Sequence, residues 1–206
     1  MIYIIITTCI IDKYEMTIPS DREKRYCDCI QQLLNLIQND SSIKPIIVEN
    51  NGVRKTYLDN FKCEVCYNNN NNTQNTSHKG VTELLDIKDV INRYNIQDDD
   101  IVIKLTGRYK MLDLIFVNLV KKCSNDYDAF IKFFNVCEKK FVFNDCVLGL
   151  FAIKCKYLKN FNYKCIKSPE CEFAEYLREN ITKISEIKQL NLECCFAQTP
   201  LDLLIV

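Results

Sequence analysis

The stretch "MIYIIITTCII", residues 1–11, is apolar almost throughout, with Ile2, Ile4, Ile5 and Ile6 running up to Thr7 and Thr8. A strand with one wet face alternates apolar with polar residues, whereas a strand buried on both faces does not, and the second habit belongs to the centre of a parallel sheet. Parallel neighbours need crossover connections, commonly helices. The next hundred residues supply them. From Asp21 to Gln38 the apolar residues Tyr26, Ile30, Leu33, Leu34 and Ile37 recur at helical spacing, behind Ser20 and Asp21, which suit a helix start. Ile43–Val48 reads as a second strand closing on Glu49-Asn50-Asn51-Gly52, where Gly52 permits the positive φ of a tight turn. "FKCEVCY" (61–67) alternates as a third strand, and the asparagine run 68–72 reads as a mobile loop rather than a linker between domains. Gly80–Tyr94 is a second helix with Leu84, Leu85, Ile87, Val90 and Ile91 for its buried side, and "DIVIKL" (100–105) a fourth strand. This alternation predicts one α/β domain: a three-layer α/β/α sandwich around a mainly parallel, Rossmann-like sheet.

The chain has 206 residues, enough for one domain with a sizeable core. Its 27 basic and 27 acidic residues cancel, so no global field would hold nucleic acid or an anionic membrane, and a nucleic-acid partner is not expected. Thirteen cysteines would suggest a disulfide framework in a small secreted chain, but the start lacks a basic leader region and meets charge at Asp12. The expectation is therefore no signal peptide, no transmembrane segment, a cytoplasmic location and reduced thiols. Cys63 and Cys66 form a CxxC and Cys194-Cys195 a pair, yet with one histidine and no second spaced pair these read as small core residues before they read as a zinc site.

In open α/β sheets ligands bind outside the carboxyl ends of the strands. That rule divides "QDDDIVIKLTGRYKM" (97–111): Asp98, Asp99 and Asp100 precede the strand and read as a solvated turn, while Thr106, Gly107, Arg108 and Tyr109 stand at its exit, on the ligand side. The second half is less regular. "DAFIKFF" (128–134) and "FVFNDCVLGLFAIKCKYL" (141–158) read as strands and a short helix, with Gly149 where another group can approach the backbone closely. Ser168-Pro169 signals a helix start followed by Glu170, Glu172 and Glu175, and "LNLECCFAQTPLDLLIV" (190–206) a closing strand pair with a turn at Thr199-Pro200.

Three stretches, "IYIIITTCI" (2–10), "KPIIVENNG" (44–52) and "SHKGVTELLD" (77–86), together with the layout of roughly the first 180 residues, resemble glycosyltransferases of the A fold, in particular the short ones of large DNA viruses. The resemblance implies a nucleoside diphosphate sugar as donor, a glycan or glycoprotein hydroxyl as acceptor, a nucleotide-binding half over 1–110 and an acceptor-side half over 111–206. It implies that Thr7 and Thr8 line the base pocket, that Glu49 with Asn51 accepts hydrogen bonds from base or ribose, and that Lys79 and Gly80 open a helix whose free N–H groups face phosphate. It also implies a carboxylate near the start of the last long helix that takes the acceptor's proton, Glu172 ahead of Glu170, as in inverting members.

The chain departs from that pattern in one place. Where most members carry Asp-x-Asp to hold a divalent cation, residues 105–109 read Leu-Thr-Gly-Arg-Tyr. No Mn or Mg site is implied, although a cation is left open. A forked, permanently charged guanidinium can offset leaving-group charge without metal, which makes Arg108 the candidate, with Lys104, Thr106, Gly107 and Tyr109 beside it. Lys104 shares a face with Thr106 and Arg108 only if the strand stays regular to that point. Each residue also has a plainer reading. Arg108 and Tyr109 suit a surface turn with a cation–π contact, Glu49 a turn carboxylate, Lys79-Gly80 an ordinary helix start, Glu170 and Glu172 a complement to the helix dipole, and His78 a loop. The expected activity is hexosyl or related transfer by a monomer or homodimer. The alternatives are a nucleotide- or sugar-binding domain without transfer and a structural virion protein whose cysteines crosslink.

Overall fold

The computed structural model describes residues 1–11, 19–73, 79–134, 144–195 and 203–206. In chain order they form β1 (Ile2–Thr8), α1 (Pro19–Ile37), β2 (Ile43–Glu49), a 3-10 turn (Tyr57–Asn60), β3 (Glu64–Tyr67), α2 (Asn70–Thr73), α3 (Lys79–Arg93), β4 (Ile101–Thr106), β5 (Lys110–Met111), α4 (Ile115–Cys123), β6 (Ala129–Ile131), β7 (Leu150–Lys154), α5 (Cys155–Asn160), α6 (Pro169–Asn180), β8 (Ile184–Glu186), β9 (Leu192–Cys195) and β10 (Leu203–Ile205). The main sheet has seven strands in the order β3-β2-β1-β4-β7-β6-β8. Its first four strands are parallel, and β7 runs against both β4 and β6. A second sheet, β10-β9-β5, is antiparallel.

The unbroken apolar run of β1 is explained by its position. Ile4 and Ile6 face a layer made by Tyr26, Ile30 and Leu33 of α1 and Val117 and Val120 of α4, while Ile5 faces Leu84, Ile87 and Val90 of α3 with Phe173 and Leu177 of α6. With both faces dry, each buried isoleucine contributes on the order of 2 kcal/mol by leaving water. The result is the mainly parallel, three-layer α/β/α sandwich that the pattern predicts. Among the described residues no helix is long and apolar enough to cross a membrane. Cys29, Cys66, Cys146 and Cys155 are buried thiols.

Several local expectations are revised. Helix α1 begins at Pro19, so Ser20 and Asp21 lie inside its first turn. Strand β3 is confined to Glu64–Tyr67 because the residues ahead of it form the 3-10 turn. There the Thr56 hydroxyl accepts from Leu58 N–H (3.1 Å) and the Asp59 carboxylate from Thr56 N–H (2.7 Å), a reciprocal cap. The asparagine run is anchored: Asn68 and Asn70 both donate to Asp86 of α3, at 3.0 and 2.9 Å. Asp98 and Asp100 lie at the start of β4, where Asp98 meets Lys159 and Asp100 meets the chain's amino group. That is the edge opposite Thr106, as the strand's direction requires. His78, the strand reading over 141–143 and the turn at Thr199-Pro200 fall outside the described residues.

Candidate functional site

The carboxyl ends of β1, β2 and β4 define one edge. Register sets Thr7 opposite Thr106 and Thr8 opposite Glu49. Thr7, Thr8, Glu49, Asn51, Thr106, Gly107, Arg108 and Tyr109 thereby lie at or just beyond the same edge of the sheet. The chain must turn sharply after β4, and Tyr109 N–H donates to Thr106 O at 2.8 Å. Gly107 sits where the turn crosses the end of β1: a Cβ there would lie 2.9 Å from Thr8 Cγ2 and 3.0 Å from Thr7 O, so only glycine allows the approach. Gly149 serves Tyr109 in the same way, since its Cβ would lie 2.2 Å from the ring.

The turn separates Lys104 from Arg108. Lys104 and Thr106 share the face toward α3, but the side chain of Lys104 is buried, and its Nζ donates to Glu83 Oε2 (2.9 Å), Thr106 Oγ1 (2.6 Å) and Leu148 O (2.8 Å). All three ammonium hydrogens are thus spent inside the protein. Glu83 Oε1 in turn accepts from Thr7 Oγ1 at 3.3 Å, so one carboxylate ties α3 to the ends of β1 and β4. Glu83 lay in a helix pattern and carried no signal beyond it.

Arg108 faces the other layer. Its Nε donates to Cys195 O at 3.1 Å, its guanidinium lies 5.5 Å from the Tyr109 ring centre, and its charge acts on the buried Tyr26 hydroxyl of α1. Arg22, one turn before Tyr26, donates through Nη2 to that hydroxyl at 3.4 Å and through Nε to Cys9 O at 2.9 Å. Burial raises the Tyr26 pKa, and Arg22 and Arg108 oppose the rise. Two cations from separate elements therefore bracket one neutral hydroxyl at the ends of β1 and β4. Arg25 fixes the turn from outside, donating to Arg108 O at 2.8 Å while pairing with Glu193 of β9 at 2.7 Å.

Glu49 is fully buried. Its oxygens accept from Thr8 Oγ1 (2.8 Å), Ile10 N–H (3.1 Å), Asn51 N–H (3.3 Å) and Arg54 Nη2 (3.3 Å). Burial raises its pKa, against the pull of Thr8, Ile10 and Arg54. Asn51 matches Ile11 as a strand neighbour would, accepting from its N–H at 3.0 Å and donating to its C=O at 3.2 Å. Both side chains therefore hold the segment after β1 in place. Behind them Asp86, also fully buried, accepts from Asn50, Asn68 and Asn70, and burial pushes its pKa up to about 7 despite those bonds.

Helix α3 begins at Lys79, and the start of α6 closes over it: a Cβ on Gly80 would lie 2.5 Å from Pro169 Cβ. This contact sets the first turn of α6, which carries Glu170 and Glu172, beside the start of α3. The Glu172 carboxylate accepts from the N–H groups of Lys164 (2.6 Å), Ile166 (2.6 Å) and Lys167 (3.0 Å), shaping the loop before α6. Burial would raise its pKa, but these backbone donors outweigh it and hold the carboxyl below its usual range. Tyr163 is pushed well above the usual tyrosine range, by burial first and then by Cys146, Glu83, Glu170 and Glu172, so these acidic groups share one neighbourhood. Among the described residues no three His, Cys, Asp or Glu side chains come together as a cation-binding set.

No family model and no curated protein sequence matches the chain. Solved structures do. A protein described as a nucleotide-diphospho-sugar transferase from Desulfovibrio desulfuricans G20 aligns with 90% of this chain and 79% of its own, at 12% identity and a TM-score of 0.55. A CMP:2-keto-3-deoxy-manno-octonic acid synthetase complexed with CTP aligns over 90% and 89%, at 13% identity and 0.55. The mannosyltransferase PcManGT from Pyrobaculum calidifontis, in complex with GDP-Man and Mn2+, aligns over 90% of this chain but 54% of its own, at 8% identity and 0.54. Identities this low carry the fold alone. By these alignments the chain has the Rossmann-like, glycosyltransferase-A-like fold shared by nucleotide-diphospho-sugar transferases and nucleotidyltransferases.

Proposed function

We propose that the chain is a glycosyltransferase that moves a sugar from a nucleoside diphosphate sugar to a hydroxyl of a glycan or glycoprotein. The observation that carries this reading is the pair Arg108 and Arg22, bracketing Tyr26 at the exits of β1 and β4, where ligands of this fold class bind. The acceptor oxygen attacks the anomeric carbon and loses its proton to a carboxylate, while the bond from that carbon to the diphosphate oxygen breaks. The two guanidiniums offset the charge that grows on the departing diphosphate. One carboxylate base on the far face of the sugar suffices for inversion. Glu170 and Glu172, in the first turn of α6, are the candidates for that role, and Glu172 also accepts from three backbone N–H groups. Glu49 and Asn51 act as positioning residues for the base pocket, and Lys104 supports Glu83 and Thr7. Among the described residues no cation-binding set forms, and no step is routed through a metal.

A second reading, binding without transfer, is favoured by one fact: the carboxylates of Glu49 and Glu172 are already occupied by internal donors. Titration with UDP-, GDP- and CMP-sugars by calorimetry, followed by release of nucleotide in the presence of oligosaccharide acceptors, separates the two. Binding with acceptor-dependent release supports transfer. Binding without release to any acceptor supports the second reading, and failure to bind any nucleotide refutes both.

A further inference from the structure

The edge of the sheet opposite the crevice carries a groove of about 660 Å³, within the range of ligand sites. Its origin is a step in the sheet. Strand β1 pairs with β2 from Ile43 onward, but β3 joins β2 only from Ile46, so Ile43–Pro45 have no strand partner on that side among the described residues. Pro45 has no N–H to leave unpaired, which is why such a step is tolerated inside a sheet. Helix α1 ends beside it with no basic residue in its last turn.

The walls are amide rather than ionic. Gln31 and Asn35 of α1, Gln38 just beyond its end and Asn60 line the groove together with Leu34 and Pro45. Gln31 Nε2 donates to Asn35 Oδ1 at 2.8 Å, which fixes that pair. The one acid of the lining, Asp40, is spent elsewhere: it forms a close ion pair with Lys121 and accepts from Ser42, and these bonds, that with Lys121 first, hold its carboxyl down at about 2. Lys62, which is exposed, completes the lining.

The geometry points to a second ligand site in this groove, for a neutral oligosaccharide. Each amide offers a donor and an acceptor, the combination that neighbouring sugar hydroxyls also present. The aliphatic floor suits the C–H face of a pyranose ring. A peptide adding itself as a strand fits less well, because Pro45 withholds the N–H such a strand would use. The site lies across the sheet from Arg108, so it stands independently of the activity proposed above.

The test is saturation-transfer NMR on the full chain with maltohexaose and with chitohexaose, repeated in an Asn35→Leu/Asn60→Leu variant. Both positions are exposed, so the fold should survive, and UDP binding in the same samples checks the crevice separately. The expected result is transfer to at least one hexasaccharide, unchanged by added salt, with affinity lowered at least about tenfold in the variant while UDP binding holds. Absence of transfer up to about 10 mM sugar, a weaker limit than any specific site needs, overturns the proposal. So does binding that persists in the double variant, or displacement of the sugar by an extended peptide.

Discussion

Asp86→Asn tests the buried clamp behind the crevice. In the fold Asp86 titrates near 7, against 3.8 when exposed, so folding must desolvate a carboxylate that water would ionise. A raised carboxyl pKa means that the native state holds the proton more tightly. The stability it lends is therefore complete below the unfolded pKa, is lost as pH rises toward 7, and is level above that. Each unit is worth about 1.4 kcal/mol, which gives a loss of roughly 2.6 kcal/mol between pH 5 and pH 8. The structure shows how the protonated form is accommodated: Asn50 keeps a buried Oδ1 without a partner among the described residues, and turning its amide would let that oxygen accept from a protonated Asp86. Asn at position 86 is neutral throughout and cannot titrate. Urea unfolding of both proteins at pH 5, 6, 7 and 8 yields two stability curves whose difference isolates this group from other titrating residues. The variant should gain on the wild type by about 2–3 kcal/mol across the range, the two-to-threefold scatter of such contributions allowed for. Parallel curves would refute the reasoning and return Asp86 to an ordinary acid stabilised by its three amides.

Other outcomes follow from the same geometry. Arg108→Ala should lower turnover by about 10²-fold with a smaller loss of donor affinity, and Arg108→Lys should restore only part of it; equal losses in kcat and affinity would show that the guanidinium serves binding alone. Gly149→Ala drives a methyl into the Tyr109 ring and should cost about 1–3 kcal/mol, most of it recovered when Tyr109→Ala is added, as read from urea midpoints. Replacing Asp98, Asp99 and Asp100 by Asn removes surface pairs at the far edge and should change stability by about 1 kcal/mol or less. Calorimetry should show nucleotide affinity unaltered, and a large loss would place the ligand at the wrong end of β4.

The central strands and helices were legible because burial on both faces leaves a signature inside a single window. The apolar runs of β1, β2 and β4 and the spacing of α1 and α3 each reflect local contacts with a whole layer. The direction of β7 was not legible, since nothing in "LFAIK" distinguishes a parallel neighbour from an antiparallel one. Nor was β5, whose two residues are strand only because β9 returns to meet them. The polar sites were legible as positions and not as partners. Glu49 and the exit of β4 fall at the edge where strand direction puts them, but whether a carboxylate faces solvent or is consumed by Thr8, Ile10 and Arg54 depends on loops folded from elsewhere. The asparagine run misled for the same reason, because its anchor at Asp86 lies outside any local pattern. Arg22 was hidden in the amphipathic spacing of α1, where Tyr26 with a hydroxyl to satisfy was the one available hint.

The pairing of β4 with β7 bears on how the chain is made. Residues 101–105 find their outer hydrogen-bonding partners at 150–154, so a ribosome that has delivered the first four strands has built a parallel sheet with an open, largely apolar margin broken by Lys104. Such margins invite pairing with other chains. The nascent protein must carry this exposed edge through some fifty further residues of synthesis, and a truncation near residue 110 would leave it uncovered for good. Solubility of fragments should thus improve abruptly once residue 154 is included, making β7 the element that closes the molecule against its own copies.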